Sequence, residues 1–138
     1  MILIDSGFLL ALLDRRDAWH VRAQAFAVSA EEGWITTWPV LTETAYLLQT
    51  VLGPSFAAAL MDDVASGGLQ VWDIPPARHA QTAALMRKYA QLPMDLADAS
   101  LVLLAEHLDT GRILSTDERD FKTYRWKQRK PFHNLLAA

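Results

Sequence analysis

The hydrophobic pattern divides the chain into short apolar runs and longer segments with helical periodicity. "MILI" at 1–4 is a short continuous apolar run, as in a strand buried on both faces. Three more strand candidates are "WITTW" at 34–38, "LQVWDI" at 69–74 and "RILST" at 112–116. A last short strand is predicted near "TYRW" at 123–126. These runs predict a sheet of about five strands.

The segments between the runs repeat apolar residues at three- and four-residue spacing, which is typical of helices. Pro39 precedes one of them, and Gly53 with Pro54 ends it. Strands that alternate with helices predict an α/β fold, in which helices cover both faces of a parallel sheet. We expect one domain over residues 1–138. The predicted helices cover 6–14, 18–32, 40–53, 55–68, 77–92 and 93–106.

Composition restricts the chemistry that the chain can perform. It has 138 residues, half of them apolar, and no cysteine, which excludes disulfides and thiolate metal sites and fits a cytoplasmic protein. No apolar run reaches the roughly 18 residues of a membrane span, and the start lacks the basic region of a signal peptide. The four histidines have no ligand spacing, so a metal site would use oxygen ligands, which favours Mg²⁺ or Mn²⁺ over zinc.

Asp98 interrupts the apolar stripe of the helix predicted at 93–106. At 3.6 residues per turn it shares a face with Leu101, Val102 and Ala105. A carboxylate on such a face costs free energy unless it is hydrogen-bonded, paired or bound to a metal. A nearby arginine or backbone amides could satisfy Asp98, and so could a cation. Asp95, by contrast, has a ready structural role in the first turn of the helix.

Three further acids fall near the carboxyl edge of the predicted sheet, where sites form in parallel α/β folds. Asp5 follows the first strand, Asp117 follows a later one, and Glu43 lies early in a helix. Each has a structural explanation as well, because Asp5 and Asp117 can cap the next turn and the helix dipole can stabilise Glu43. Together with Asp98, four acids from distant segments could therefore converge on one edge.

Four converging carboxylates would need a counter-charge. At about 5 Å and an effective dielectric near 20, each ionised pair repels by roughly 3 kcal/mol. Protons or divalent cations can offset this repulsion, and acidic oxygen sites that hold Mg²⁺ are typical of enzymes that cleave phosphodiester bonds. The sequence shows neither a nucleophilic triad nor a glycine loop that would cradle phosphate.

A basic segment lies at 119–130, "RDFKTYRWKQRK", although the net charge of the chain is −3. Two interpretations stay open for it. It is a solvated charged tail, or it binds the phosphates of a nucleic acid while the interleaved Tyr124 and Trp126 provide aromatic stacking. Its basic residues are Arg119, Lys122, Arg125, Lys127, Arg129 and Lys130.

Four stretches together resemble the PIN-domain family, the nuclease fold of many bacterial toxins of the VapC type. They are "ILIDSGFLLALLD", "TETAYLL", "MDLADASLVLLAE" and "ILSTDERDF". The resemblance runs from Met1 to about Trp126, and the order and spacing of the four acids make it specific. It implies a five-stranded parallel sheet and an endoribonuclease that depends on Mg²⁺ or Mn²⁺. It also implies a homodimer that is neutralised by a cognate antitoxin, whose tail fills the acidic groove.

The resemblance assigns roles residue by residue. The four acids of the family fall on Asp5, Glu43, Asp98 and Asp117, which are therefore expected to be catalytic and to bind the metal. Ser115 matches the hydroxyl residue that helps to shape the site, and Ser6 matches a small hydroxyl residue beside the first acid. The basic segment is expected to hold RNA next to the site. Leu103 and Leu104 lie off the stripe of Asp98 and predict a second buried face, such as a dimer contact.

Two other functions compete with the endoribonuclease. The first is a catalytically silent PIN-like module that binds RNA or a protein partner, which the intact acids argue against. The second is a phosphate-handling α/β enzyme or a receiver domain that uses Asp5 or another acid as a phospho-acceptor. Such a domain would need adjacent acids after the first strand and a lysine after the last, whereas "IDSG" has one acid and the first lysine is Lys88.

Overall fold

The computed structural model describes residues 1–137; Ala138, the last residue of the expected domain, lies outside the described residues. The described strands are β1 (Ile2–Ile4), β2 (Trp34–Thr37), β3 (Gln70–Trp72), β4 (Arg112–Leu114), β5 (Arg125–Trp126), β6 (Lys130–Pro131) and β7 (His133–Asn134). The helices are α1 (Ser6–Leu13), α2 (His20–Ser29), α3 (Trp38–Val51), α4 (Pro54–Ala65), α5 (His79–Lys88), α6 (Leu96–Leu108) and α7 (Glu118–Thr123).

Five strands form one sheet in the order β3-β2-β1-β4-β7. Every neighbouring pair is parallel, and β1 lies at the centre, where Leu3 is in register with Ile35 of β2 and Ile113 of β4. This confirms the predicted α/β fold with a five-stranded parallel sheet. The chain order places the carboxyl ends of β1, β2 and β4 at one edge of the sheet.

Helices cover both faces of the sheet, which explains why β1 is a continuous apolar run. Leu3 points into a core that α5 and α6 cover, whereas Ile2 and Ile4 point into a second core against α1, α2, α3 and α4. All three side chains are at most 2% exposed. Within the described residues, no helix is both long enough and apolar enough to cross a membrane.

The strand predicted near "TYRW" does not join the main sheet. Residues 125–126 pair antiparallel with 130–131 in a separate hairpin, and the fifth parallel strand is His133–Asn134. A two-residue strand has no periodicity that the sequence could reveal. It forms because β4 offers free backbone groups, so that His133 N donates to Gly111 O and Leu135 N donates to Ile113 O.

Helix α6 is buried within the chain on nearly every side. It packs against α3, α5, β2 and the hairpin, and Leu103 and Leu104 are both 0% exposed. The predicted second buried face is therefore confirmed, but the dimer contact suggested for it is wrong, because neighbouring elements of the same chain already cover both leucines. The chain leaves α6 at Asp109 and enters β4, so α6 runs antiparallel to the strands and begins at their carboxyl edge.

Candidate active site

Asp5 is the most enclosed of the four acids, with 5% of its surface exposed. It follows β1 and caps α1: its Oδ1 accepts a hydrogen bond from Ser6 N at 2.8 Å, and its Oδ2 accepts one from Ser115 Oγ at 2.8 Å. Burial is the main reason that the pKa of Asp5 is raised to about 6, and charge repulsion by Glu43 and Asp117 adds to the rise. The two hydrogen bonds lower the pKa but do not outweigh these effects. Asp5 therefore caps α1 and also lies, as predicted, at the carboxyl edge of the sheet.

Two serines connect Asp5 to Glu43 and Asp117: Ser6 through its backbone N–H and its hydroxyl, and Ser115 through its hydroxyl. Ser6 Oγ donates to Glu43 Oε1 at 2.7 Å, which fixes an acid of α3 beside the start of α1. Ser115 Oγ accepts from Asp117 N at 2.9 Å while it donates to Asp5. Three acids from three segments are thus held at one edge of the sheet.

The start of α1 lies close to the loop that follows β4, and this close approach leaves no room for a side chain at Gly7. A Cβ atom there would lie 2.1 Å from Thr116 Oγ1, which is inside any van der Waals contact. Gly7 therefore allows Asp5 and Ser115 to come within hydrogen-bond distance.

Asp98 joins the site from the first turn of α6. Asp95 caps this helix by accepting from Asp98 N at 2.8 Å, and the Asp98 carboxylate accepts from the Tyr124 hydroxyl at 2.7 Å. Burial raises the pKa of Asp98 to about 8, against the Tyr124 hydrogen bond, and repulsion by Asp5, Asp95 and Asp117 adds to the rise. These interactions place Asp98 within electrostatic range of Asp5 and Asp117.

Tyr124 is a site residue whose role the sequence did not reveal. It is fully buried, and its ring packs edge-on against Tyr89 and Phe121. Burial raises its pKa above the ordinary value for tyrosine, so it stays a neutral donor to Asp98. The sequence contained one signal, an aromatic residue in a basic segment, but that signal indicated base stacking.

Asp117 caps α7 by accepting from Asp120 N at 3.1 Å, and it is half-buried. Burial raises its pKa, and the neighbouring Asp120 raises it further. Asp120 is 7% exposed and pairs with Arg119 at 3.0 Å. Among residues 1–137, no ion pair involves Asp5, Glu43, Asp98 or Asp117, and the nearby Arg119 lowers the pKa of Asp117 only against larger opposing effects.

The basic segment divides into two parts that lie far apart. Arg119 and Lys122 belong to α7, which starts at the carboxyl edge. Lys127 and Lys130 instead pair with Asp109, the residue that ends α6, at 2.7 and 3.7 Å. Asp109 is eleven residues after Asp98, or about 16 Å along a helix. Of the other two basic residues, Arg125 donates to three nearby backbone carbonyls and Arg129 is exposed in the hairpin turn.

The expected aromatic stacking by this segment is wrong. Tyr124 is 0% exposed and Trp126 is 7% exposed, and Trp126 Nε1 donates to Pro131 O at 3.0 Å inside the hairpin. Both rings are part of the core around α6, so a base cannot stack on them.

The fold and the site together define an α/β domain with acids at the carboxyl edge of its parallel sheet. The PIN domain family model matches residues 2–127, and the chain belongs to the PIN-domain family. It is similar to Ribonuclease VapC26 of Mycobacterium tuberculosis (strain ATCC 25618 / H37Rv), with 28% identity over 124 residues that cover 90% of this chain and 92% of the relative.

A solved structure has the same fold. Mycobacterium tuberculosis VapC20, described as a sarcin-ricin loop cleaving toxin, superposes with a TM-score of 0.79. The match covers 86% of this chain and 92% of that chain, at 22% sequence identity. At this identity the likeness concerns the fold.

Proposed function

We propose that this chain is a single-domain, metal-dependent endoribonuclease that hydrolyses RNA phosphodiester bonds at the four-acid edge, as the toxin of a toxin–antitoxin pair. The observation that carries the proposal is that Ser6 and Ser115 hold Asp5, Glu43 and Asp117 at one edge, where none of the three acids forms an ion pair within residues 1–137. Membership of the PIN-domain family and similarity to Ribonuclease VapC26 support it.

The donor set fits a hard divalent cation such as Mg²⁺ or Mn²⁺. Every side chain of the set offers oxygen, and burial raises the pKa of both Asp5 and Asp98, so a cation would relieve their repulsion. As the side chains stand in residues 1–137, no three acids or histidines form a ligand cluster, so metal binding would have to draw the carboxylates closer together. The residues that would hold the ion are Asp5, Glu43, Asp98 and Asp117.

The chain contributes position and charge to the reaction. A divalent cation, when bound, supplies a water molecule of lowered pKa and offsets charge on the phosphate. Ser115 and Ser6 N hold Asp5, Ser6 Oγ holds Glu43, and Tyr124 holds Asp98. These hydrogen bonds already hold the carboxylates in place, so the side chains lose less conformational entropy when the site assembles.

The test of the proposal is cation dependence. Purified protein with Mg²⁺ or Mn²⁺ should cut single-stranded or looped RNA, excess EDTA should stop the reaction, and added cation should restore it. The measurement is RNA cleavage followed on gels, with cation binding followed by calorimetry. Cleavage that persists in EDTA contradicts the metal mechanism, and RNA binding without cleavage in either cation favours the silent module.

The partners expected from the resemblance are proposals as well. We infer a homodimer and a cognate antitoxin, and a cytoplasmic location stays a prediction. Large apolar side chains that remain exposed on α2 and α3 support a partner surface: Val21, Val28 and Tyr46 are 80%, 89% and 70% exposed. Exposed apolar residues also occur singly on many monomers. The dimer is therefore tested by sedimentation, which measures the mass of the assembly.

The position of α7 predicts which part of the basic segment contacts RNA. The double variant Arg119→Gln and Lys122→Ala should weaken RNA binding and reduce the slope of log K against log salt by about 1.4, because each phosphate contact to single strands contributes roughly 0.7. Glutamine keeps a hydrogen-bond donor for the buried Asp120. The measurement is RNA affinity between low and moderate salt.

The matched control for this prediction uses the far end of the same segment. The double variant Lys127→Ala and Arg129→Ala removes two positive charges as well. Lys127 pairs with Asp109, about 16 Å along α6 from Asp98, so this variant should change the salt slope less. Equal effects of the two double variants would contradict a localised contact at α7. No effect from either would identify the basic segment as a solvated surface.

A further inference from the structure

An open groove lies beside Glu43 at the carboxyl edge of the sheet. It runs between the start of α3, the start of α6 and the residue that follows β3, and it has a volume of about 560 Å³. This volume lies within the range of small-molecule sites. Glu43 contributes to the groove and also accepts from Ser6 Oγ, so the groove is continuous with the four-acid edge.

The groove combines apolar surfaces with carboxylates. Trp38, the first residue of α3, is 42% exposed, and Leu96, the first residue of α6, is 48% exposed, so both present apolar surface to whatever enters. Glu43, Asp73 and Asp95 supply the charge, and none of the described side chains that line the groove is basic. Asp95 uses one oxygen to cap α6, whereas Asp73 is exposed directly after β3.

This chemistry selects a nucleobase and rejects a phosphate. Glu43 is a proposed metal ligand, but the carboxylates of Asp73 and Asp95 would repel a phosphate, and they accept hydrogen bonds from the amino and imino groups of a base. An exposed indole offers a stacking surface of the kind that single-stranded nucleic acid uses. Guanine fits best, because its N1–H and N2 amino donors lie side by side and match the two oxygens of one carboxylate. Uracil has one N–H between two carbonyls, which carboxylates repel.

We propose that this groove binds one base of the substrate RNA next to the cleaved bond, that Trp38 stacks on this base, and that Asp73 selects guanine. The inference rests on the proposed endoribonuclease function and deepens it by assigning a specificity subsite.

The first experiment maps the cut sites of the wild-type protein on RNA oligonucleotides. Guanine should be enriched at one fixed position beside the cut. Replacing that guanine by inosine, which lacks the 2-amino group, should lower kcat/KM about tenfold for the wild type. In Asp73→Asn the guanine-to-inosine ratio should approach one, because the paired acceptor oxygens are gone. A ratio that stays at the wild-type value in Asp73→Asn overturns the selection by Asp73.

The second part tests the stacking surface. Trp38→Ala should lower kcat/KM about tenfold, mainly through KM, since base stacking contributes on that scale. Trp38→Phe should retain most of the activity because it keeps an aromatic face. Phe56→Ala, which removes a partly exposed aromatic ring from α4, is the matched control and should leave cleavage unchanged. Equal kcat/KM for Trp38→Ala and the wild type overturns the stacking role.

A binding measurement separates this inference from the proposed function. GMP should shift the indole N–H resonance of Trp38, assigned through Trp38→Phe, in the NMR spectrum of the full chain, and UMP and inorganic phosphate should not. If the wild type cuts no RNA, the proposed function fails, yet the GMP titration still decides the subsite. No shift with GMP overturns it.

Discussion

Asp5→Asn should reduce RNA cleavage by more than about a hundredfold while the fold survives. Changes that only support a metal ligand cost about 10- to 100-fold, and the loss of a ligand should exceed this. Asparagine has nearly the volume of aspartate and can still accept from Ser6 N or from Ser115 Oγ, which surround this 5% exposed position. The variant therefore removes charge and leaves packing almost unchanged. The measurements are kcat/KM in saturating Mn²⁺ and circular dichroism of the folded protein.

Asp117→Asn should have a similar effect, because it removes a second proposed metal ligand, while the backbone N–H that donates to Ser115 Oγ is unchanged. Asp62→Asn is the matched control: it removes one charge from an exposed position of α4 and should leave cleavage within twofold. If Asp5→Asn cleaves RNA at the wild-type rate, the four-acid edge is not the active site.

Asp98→Asn should stabilise the metal-free protein by about 1–3 kcal/mol near pH 8. The pKa of Asp98 rises to about 8 in the folded chain, mainly through burial, against 3.8 for an ordinary aspartate. Folding above pH 4 therefore requires this side chain to keep a proton that the unfolded chain releases. Asparagine removes this cost and can still accept from the Tyr124 hydroxyl. The quoted range allows for the partial exposure of the side chain.

The pH dependence of this stabilisation has a definite sign. Since the folded state binds the extra proton, the free energy of unfolding of the wild type falls as pH rises from about 4 to about 8. The advantage of Asp98→Asn should be near zero at pH 4 and largest at pH 8. The pKa of Asp5 also rises, to about 6, so Asp5 lowers the free energy of unfolding with rising pH in both proteins. This contribution cancels when the two free energies are subtracted.

Metal should stabilise the wild type more than it stabilises Asp98→Asn. A cation that binds only the native state stabilises it by RT ln(1 + [L]/Kd), so tighter binding gives more stabilisation, and Mg²⁺ or Mn²⁺ should raise the melting temperature of the wild type more than that of Asp98→Asn. Asp95→Asn is the control, because asparagine is also a good N-cap and this residue is exposed. If Asp98→Asn melts below the wild type in EDTA and its metal-induced shift is unchanged, Asp98 is a structural hydrogen-bond partner of Tyr124.

The sequence by itself determined the features that depend on near neighbours along the chain. The apolar run at 1–4 and the periodic stripe around Asp98 predicted β1 and α6, because the geometry of strands and helices fixes which neighbouring residues share a face. Parallel strands joined through helices then placed Asp5 and Asp117 at one edge, since each follows the carboxyl end of a strand.

Only the tertiary structure decided the contacts between distant segments. Tyr124 reaches Asp98 across 26 residues, and the hairpin at 125–131 places Lys127 at the far end of α6. Leu103 lost its predicted partner surface because α6 is enclosed by its own chain. Periodicity shows that a face is apolar or that a segment is basic, but which element covers it depends on how helices pack on the sheet. That packing is a sum of many contacts between residues far apart in the sequence, and local pattern does not record it.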